Sequence, residues 1–146
     1  MSLAMTKQER EAFLAETHVA VIAIDEAGRG PLAVPVWYFY EPGGVVRFVT
    51  GGGSKKAALL RKVGRMSLCV QTESPPYRYL SVEGPIVIGK PDYERDMRQM
   101  AYKYLGQQMG DMYLASTEED RVTSILITLE PKRWLSVDYT KMEFGG

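Results

Sequence analysis

The stretch that decides the fold is residues 45–63, VVRFVTGGGSKKAALLRKV. β-Branched residues up to Thr50 predict a strand, three glycines predict a tight turn, and Ser54 is a good N-cap for a helix over residues 55–62. Glycine lets the backbone approach a ligand closely, and a helix N-terminus offers free N–H groups and a positive dipole. Lys55 and Lys56 would oppose that dipole by about 0.3–1 kcal/mol each. A bound anion reverses the sign of this cost, so the segment predicts a phosphate site.

A purely structural explanation of this segment is the alternative. In that case Ser54 only caps the helix and both lysines are solvated. The spacing is not that of a Walker loop, and no βαβ unit surrounds it, so the common nucleotide-binding glycine motifs are excluded.

The segments on either side predict short strands joined by tight turns. Strands are predicted at residues 17–25, 31–40, 45–50, 65–72, 77–90, 121–130 and 134–139, and helices at 6–16, 55–62 and 91–105. Short turns favour antiparallel pairing. The predicted fold class is α+β, mainly β: a six- to seven-stranded antiparallel barrel with peripheral helices. Residues 106–116 are predicted to be irregular.

The second predicted strand, residues 31–40, reads PLAVPVWYFY and does not alternate between apolar and polar side chains. An antiparallel strand with one wet face alternates, so both faces of this one must be covered. A homodimer would cover the outer face economically. A helix of the same chain is the alternative.

Composition limits the chemistry of the chain. Its 146 residues predict one domain, placed at residues 6–140, while residues 1–4 and 145–146 are interpreted as expression-derived. Eighteen basic and 18 acidic residues give no net charge, which argues against a nucleic-acid partner. One cysteine and one histidine cannot form the usual zinc site, so we expect no metal and a bound cofactor as the source of any chemistry.

The local charge and hydropathy patterns add two expectations. No acidic residue occurs between Glu41 and Glu73, although six basic residues do, so this stretch is suited to an anion. No apolar run reaches transmembrane length and no signal-peptide pattern is present, which predicts a cytoplasmic protein without a membrane partner.

The run Thr50–Lys56, followed by Ala57 and Leu60, resembles the phosphate-binding run T-N-x-x-S-R-K-x of the pyridoxamine 5′-phosphate oxidase-like proteins, which are FMN-binding split β-barrels. The order of elements also matches: an apolar strand with PVW at 35–37, a hairpin, the run itself, a strand at 66–70, and YLSVEG at 79–84. Gly52, Gly53, Ser54 and Lys56 also resemble the G-G-S-x-K run of the actinobacterial branch, whose members use FMN or the deazaflavin coenzyme F-420. The resemblance covers about residues 10–140 and implies an FMN-binding split barrel.

This resemblance implies a flavin- or deazaflavin-dependent oxidoreductase. The enzyme would bind FMN, or alternatively coenzyme F-420, at a homodimer interface and transfer hydride to or from a small organic substrate. The implied cofactor-binding residues are Val34, Pro35, Val36, Trp37, Val49, Thr50, Ser54, Lys55, Lys56, Tyr79 and Trp134. The resemblance implies that Lys55 and Lys56 bind the cofactor phosphate and that the flavin ring lies against the strand around Pro35. It also implies that Trp134 reaches the cofactor bound by the partner subunit.

Several points are left open by the sequence. No catalytic acid or base is identified. The C-terminal Arg-x-x-x-Glu-Phe-Trp segment of true pyridoxamine phosphate oxidases is not matched at Arg133–Ser136, so vitamin B6 phosphate is not the expected substrate. The alternatives to an enzyme are a non-catalytic flavin- or haem-binding protein for storage or sensing, and a dimeric structural protein with a vestigial site.

Overall fold

A computed structural model describes residues 2–142, which form one antiparallel sheet with helices at its margins. The strands are β1 Ala20–Ile24, β2 Leu32–Val36, β3 Phe39–Tyr40, β4 Val46–Gly51, β5 Arg65–Gln71, β6 Arg78–Gly89, β7 Ser124–Leu129 and β8 Arg133–Asp138. The α-helices are α1 Lys7–Ala15, α2 Lys55–Val63 and α3 Gln99–Ser116. A π-helical segment, Tyr93–Arg98, precedes α3, and 3-10 turns occupy Glu118–Thr123 and Tyr139–Lys141. The residues 145–146 interpreted as expression-derived lie outside the described part.

The order of the strands explains why the sheet closes. It runs β2-β1-β5-β6-β7-β4-β3, and β8 pairs with the first half of β6. The end strands β2 and β3 are separated by only Trp37 and Tyr38. Because three residue steps span at most about 11 Å, the two ends of the sheet must come together. The result is the predicted antiparallel split barrel.

Strand β6 joins the two halves of the barrel. Its residues Arg78–Glu83 lie between β5 and β8, whereas Ile86–Gly89 pair with β7. Gly84 lies between these two halves, and a Cβ there would lie 1.9 Å from the carbonyl oxygen of Glu130. Only glycine permits this approach.

The prediction of one strand over residues 31–40 is wrong, and its division into β2 and β3 raises the number of strands in the described part to eight. Trp37 and Tyr38 leave the ladder because the Tyr104 hydroxyl accepts a bond from Tyr38 N at 3.1 Å and donates one to His18 O at 2.6 Å. The Tyr38 side chain turns inward, fully buried, and its hydroxyl donates to Leu14 O at 2.6 Å.

The irregular segment predicted at residues 106–116 is also wrong, because α3 extends to Ser116. Gly106, with φ 79° and ψ 174°, interrupts the helix, but the chain resumes helical geometry after it. Gly110 stays in the helix beneath the Tyr102 ring, where a Cβ would lie 2.6 Å from Cδ1. The strand predicted from residue 121 begins at Ser124, since a 3-10 turn takes the preceding residues.

The core fills the inside of the barrel. Buried side chains from five strands meet there and α1 covers one end: Ile22, Phe48, Leu68, Leu80, Ile127, Phe13 and Leu14. In the described part of the chain, none of the helices is long and apolar enough to cross a membrane.

Candidate functional site

The glycine turn between β4 and α2 forms as the sequence predicts. Ser54 Oγ accepts from Ala57 N at 3.1 Å and donates to Gly51 O at 2.9 Å, which fixes the start of the helix. Gly64 ends α2 in the left-handed region, with φ 73°. The N–H groups of Lys55 and Lys56 have no acceptor within residues 2–142, as expected for the first turn of a helix.

The middle of this turn is clamped by two neighbours. Gly52 N donates to Thr123 O at 2.8 Å, and Arg61 Nη1 donates to Gly52 O at 2.6 Å. A Cβ on Gly52 would lie 2.4 Å from Thr123 O, so a larger residue would push the two segments apart. The glycine turn is therefore held against the segment that leads into β7.

A cavity of about 590 Å³ lies between the barrel and α3. Its barrel side is lined by residues of β2, β4 and the start of α2 and by the residue after β2: Pro35, Val36, Trp37, Val49, Thr50, Gly51 and Lys56. Its helix side is lined by residues of the 93–123 segment, chiefly Met97, Met100, Ala101, Tyr113, Leu114 and Arg121. Cavities of about 300–1,000 Å³ with mostly apolar walls and a few polar groups are typical small-molecule sites.

Six of the eleven residues predicted to bind a cofactor line this cavity: Pro35, Val36, Trp37, Val49, Thr50 and Lys56. The other five predicted residues do not line it: Val34, Ser54, Lys55, Tyr79 and Trp134. Val34 is on the same strand without lining the cavity, and Ser54 caps α2 beside it. The structure thus brings the apolar strand and the glycine turn together at one site.

Lys55 does not line the cavity, although the sequence predicts that it binds phosphate together with Lys56. Its Nζ lies 2.9 Å from Glu26 Oε1, in the turn between β1 and β2. The hydrogen bond from Lys55 holds the pKa of the Glu26 carboxyl below its usual value. The segment between Glu41 and Glu73 contains no acidic residue, but the fold brings Glu26 from another segment into contact with it.

Lys56 keeps its charge available to the cavity. Its side chain is partly buried and makes no hydrogen bond or ion pair with residues 2–142. Burial lowers the pKa of its ammonium below the usual 10.5, because the charged form loses solvent. An anion at this point would offset that cost.

The outer face of Trp37 is covered by α3 of the same chain. The Tyr104 ring stacks on the indole with centroids 5.1 Å apart and planes 6° apart, and the Tyr113 ring lies 5.3 Å away. At Trp37, a helix of the same chain covers the outer face of the apolar segment, which is the alternative to a homodimer given by the sequence. The apolar strand alone does not require a partner there.

Asp96 forms a charged but neutralised part of the cavity wall. Its carboxylate is 1% exposed and accepts bonds from Arg47 Nε at 3.0 Å, Arg95 Nε at 2.9 Å and Asp92 N at 2.8 Å. Burial alone would raise the pKa of Asp96, but these hydrogen bonds hold it below the ordinary 3.8. Asp96 is therefore ionised near neutral pH and does not serve as a proton donor there.

The two remaining predicted residues, Tyr79 and Trp134, do not line the cavity. Tyr79 lies in β6, opposite Gln71 on one side and Val137 on the other. Trp134 lines a separate cavity of about 570 Å³, with the Arg10 guanidinium 4.6 Å above its ring.

Sequence reasoning missed the contribution of the segment after α3. Arg121 was assigned to a strand, yet it lines the cavity from the 3-10 turn that precedes β7. Met97 and Met100 have helical spacing, which indicates packing, and both also line the cavity. No local signal distinguishes these positions, because a tertiary bend places them opposite the glycine turn.

Comparison with known proteins confirms the predicted resemblance at the level of the fold. A conserved hypothetical protein from Mycobacterium tuberculosis has a TM-score of 0.77 and 20% identity, with 99% of this chain and 95% of that chain covered. An F420 reductase has a TM-score of 0.62 and 18% identity, with 86% and 94% covered. A putative pyridoxamine 5′-phosphate oxidase from Listeria innocua has a TM-score of 0.63 and 12% identity, with 89% and 96% covered.

Sequence similarity to a curated protein is partial. The F420H(2)-dependent biliverdin reductase of Mycobacterium tuberculosis (strain CDC 1551 / Oshkosh) is 35% identical over 74 residues, which are 50% of this chain and 52% of the relative. The match therefore spans about half the length of that protein. No protein-family model matches the chain.

Proposed function

We propose that this chain is an oxidoreductase that binds a flavin-type cofactor in the cavity between β2, β4 and α3. One observation carries the proposal: Lys56 is a partly buried cation without a partner in the described chain, and it stands beside free first-turn N–H groups at the wall of a 590 Å³ cavity. Such an arrangement suits a phosphate group. The apolar walls beside it suit a planar ring.

Strand β2, beside the proposed position of the cofactor ring, also suits a bound ligand. Pro35 lines the cavity and lies on β2, an edge strand of the sheet order. Proline has no N–H to give to a ladder, so it is tolerated at an edge where a ligand approaches. Trp37 is held rigidly by its stack on Tyr104, which gives the cavity a fixed wall.

Coenzyme F-420 is the cofactor that we favour, with FMN as the alternative. The similarity to two proteins named for F420, one in sequence and one in structure, supports this choice. When bound, either cofactor would supply hydride transfer to or from a small organic substrate. The residues of this chain would bind the phosphate, orient the ring and exclude water, and the Asp96 carboxylate would stay ionised because two arginines engage it.

We also propose that the chain forms a homodimer. The strand registers align one row of residues across the outside of the sheet: Pro35, Val21, Cys69, Ser81 and Leu135. The row is largely apolar, and Leu135 is 63% exposed and Val21 44% exposed. Pro35 and the 57%-exposed Val19 also line the cavity, so a second copy on this face would cover its rim.

Hydrodynamic mass at low protein concentration tests the dimer. We expect a dimer for the wild type and a monomer for Leu135→Asp, because a buried carboxylate at an apolar interface is costly. Val87→Asp is the matched control, since Val87 is 68% exposed but lies on the half of β6 that pairs with β7. A wild-type monomer with full cofactor affinity would refute the dimer.

Cofactor binding and turnover test the function. The purified protein is titrated separately with F-420 and FMN, and the absorbance and fluorescence of each cofactor are followed. Stoichiometric binding is expected for one of them, followed by hydride exchange between the reduced cofactor and an organic acceptor. Binding without any hydride exchange would support the non-catalytic alternative, and no binding of either cofactor would refute the proposal.

A further inference from the structure

Arg121 is the second cation that lines the cavity, and the structure leaves part of its hydrogen-bonding capacity unused. Its Nη2 donates to Leu114 O at 2.9 Å, but its Nε is buried and has no acceptor among the described residues. Arg121 also makes no salt bridge within residues 2–142. Because the protein encloses Nε, the donor left for a ligand is Nη1, which makes no hydrogen bond within residues 2–142.

The guanidinium is held in place rather than free to move. Its Cζ lies 4.2 Å from the centroid of the Tyr93 ring, and the bond to Leu114 O fixes its other side. Stacking on an aromatic ring leaves the edge of a guanidinium open to an acceptor. Arg121 is thus preorganised to bind a planar or tetrahedral anion.

A backbone contact ties Arg121 to the glycine turn. Gly52 N donates to Thr123 O at 2.8 Å. Thr123 lies two residues after Arg121, and Gly52 lies four residues before Lys56. The two unpaired cations therefore line the same cavity from segments that are bonded to each other. The acidic residues of the lining do not neutralise them, since Asp96 is engaged by Arg47 and Arg95, and Asp120 is exposed and makes no salt bridge to described residues.

The geometry points to Arg121 as a second anion-binding residue, which receives a phosphate or carboxylate group of a ligand bound in this cavity. The inference deepens the proposed function and rests on it only for the identity of the ligand. The anionic group belongs either to the cofactor or to the substrate. Charge-assisted hydrogen bonds to a guanidinium are strong, so removing the Arg121 guanidinium should weaken binding of the anionic ligand about ten- to a hundredfold.

Arg121→Met, which keeps the aliphatic stem, is compared with wild type for two cofactor pairs: FMN with riboflavin, and F-420 with the deazaflavin that lacks the phosphate-bearing tail. A loss confined to the phosphate-bearing member assigns the anion to the cofactor. If cofactor affinity is unchanged, the cofactor-loaded proteins are titrated with inorganic phosphate. Phosphate protection against thermal unfolding in wild type but not in Arg121→Met assigns the anion to the substrate.

Two further variants keep the result interpretable. Arg65→Met removes an exposed positive charge outside the cavity lining, and it should leave all affinities unchanged. Arg121→Lys should recover part of the lost affinity, because it keeps the charge without the fork. Equal losses for the phosphate-bearing and phosphate-free members, or no difference between Arg121→Met and wild type in any titration, would overturn the inference.

Failure of the proposed function is distinguishable from failure of this inference. If wild type binds no flavin or deazaflavin, the proposed function falls, while phosphate protection of the empty protein still reports on Arg121. If a cofactor binds and Arg121→Met behaves as wild type throughout, only the inference falls.

Discussion

Replacing Lys56 by alanine tests the phosphate position most directly. Lys56 lines the cavity and has no hydrogen bond or ion pair within residues 2–142, so its ammonium is free for a ligand. A charge-assisted hydrogen bond to phosphate contributes about 1.5–3 kcal/mol. Since 1.4 kcal/mol is a factor of ten, Lys56→Ala should weaken cofactor binding about ten- to a hundredfold.

Folding should not suffer from the same change. A first-turn lysine opposes the helix dipole by about 0.3–1 kcal/mol, and burial adds a further cost to its charge. We therefore expect the free energy of unfolding of Lys56→Ala without ligand to equal or exceed that of wild type. Urea unfolding monitored by circular dichroism measures this.

The pH dependence gives a second readout of Lys56. Because its folded-state pKa lies below the ordinary 10.5, the unfolded chain binds more protons in the interval between the two values. Stability of the ligand-free wild type should therefore rise with pH across that interval, and this rise should be absent in Lys56→Ala. Cofactor affinity should fall over the same interval as the ammonium loses its proton.

The matched control is Lys62→Ala at the other end of α2, where the side chain is exposed and outside the cavity lining. Fluorescence titrations of both variants at one salt concentration decide the matter. Equal losses for the two variants would mean that a diffuse basic field attracts the cofactor. An unchanged affinity in Lys56→Ala would show that the phosphate has been placed wrongly.

Three further substitutions test the scaffold of the site. Gly52→Ala should lower both stability and cofactor affinity, because its Cβ would lie 2.4 Å from Thr123 O, whereas Gly53→Ala meets no atom within 4 Å and should be nearly neutral in the same titrations. Asp96→Asn should lower the free energy of unfolding at pH 7 by about 1.5–3 kcal/mol, since it removes the charge that two arginines share. Because the pKa of Asp96 lies below 3.8, this difference should disappear as the pH falls through that region, and a constant difference would contradict the account. Tyr104→Phe should cost about 1–3 kcal/mol in urea unfolding by leaving two backbone partners unbonded, and a change below the error of the measurement would show that water replaces the hydroxyl.

Local chemistry determined those parts of the fold that the sequence predicts. The capping box of Thr6 and Glu9 starts α1, Ser54 caps α2 and Gly64 ends it, because each signal acts within one helical turn.

Tertiary contacts decided the elements that the sequence predicted wrongly. Whether residues 31–40 form one strand depends on Tyr104, which lies 66 residues beyond Tyr38 and draws its backbone out of the ladder. After Gly106 the helix resumes, and the Tyr102 ring packs over Gly110, where a Cβ would lie 2.6 Å from Cδ1. Neither contact leaves a mark in the local sequence.

The candidate site divides in the same way. The sequence alone determined that a strand, a glycine turn and a capped helix carry Thr50 and Lys56, because spacing and residue type specify that local geometry. Only the tertiary structure decided that Lys55 pairs with Glu26 and that Arg121 lines the opposite wall. The physical reason is that Coulomb interactions depend on distance in space, so the charge around a binding site is set by the segments that the fold brings together.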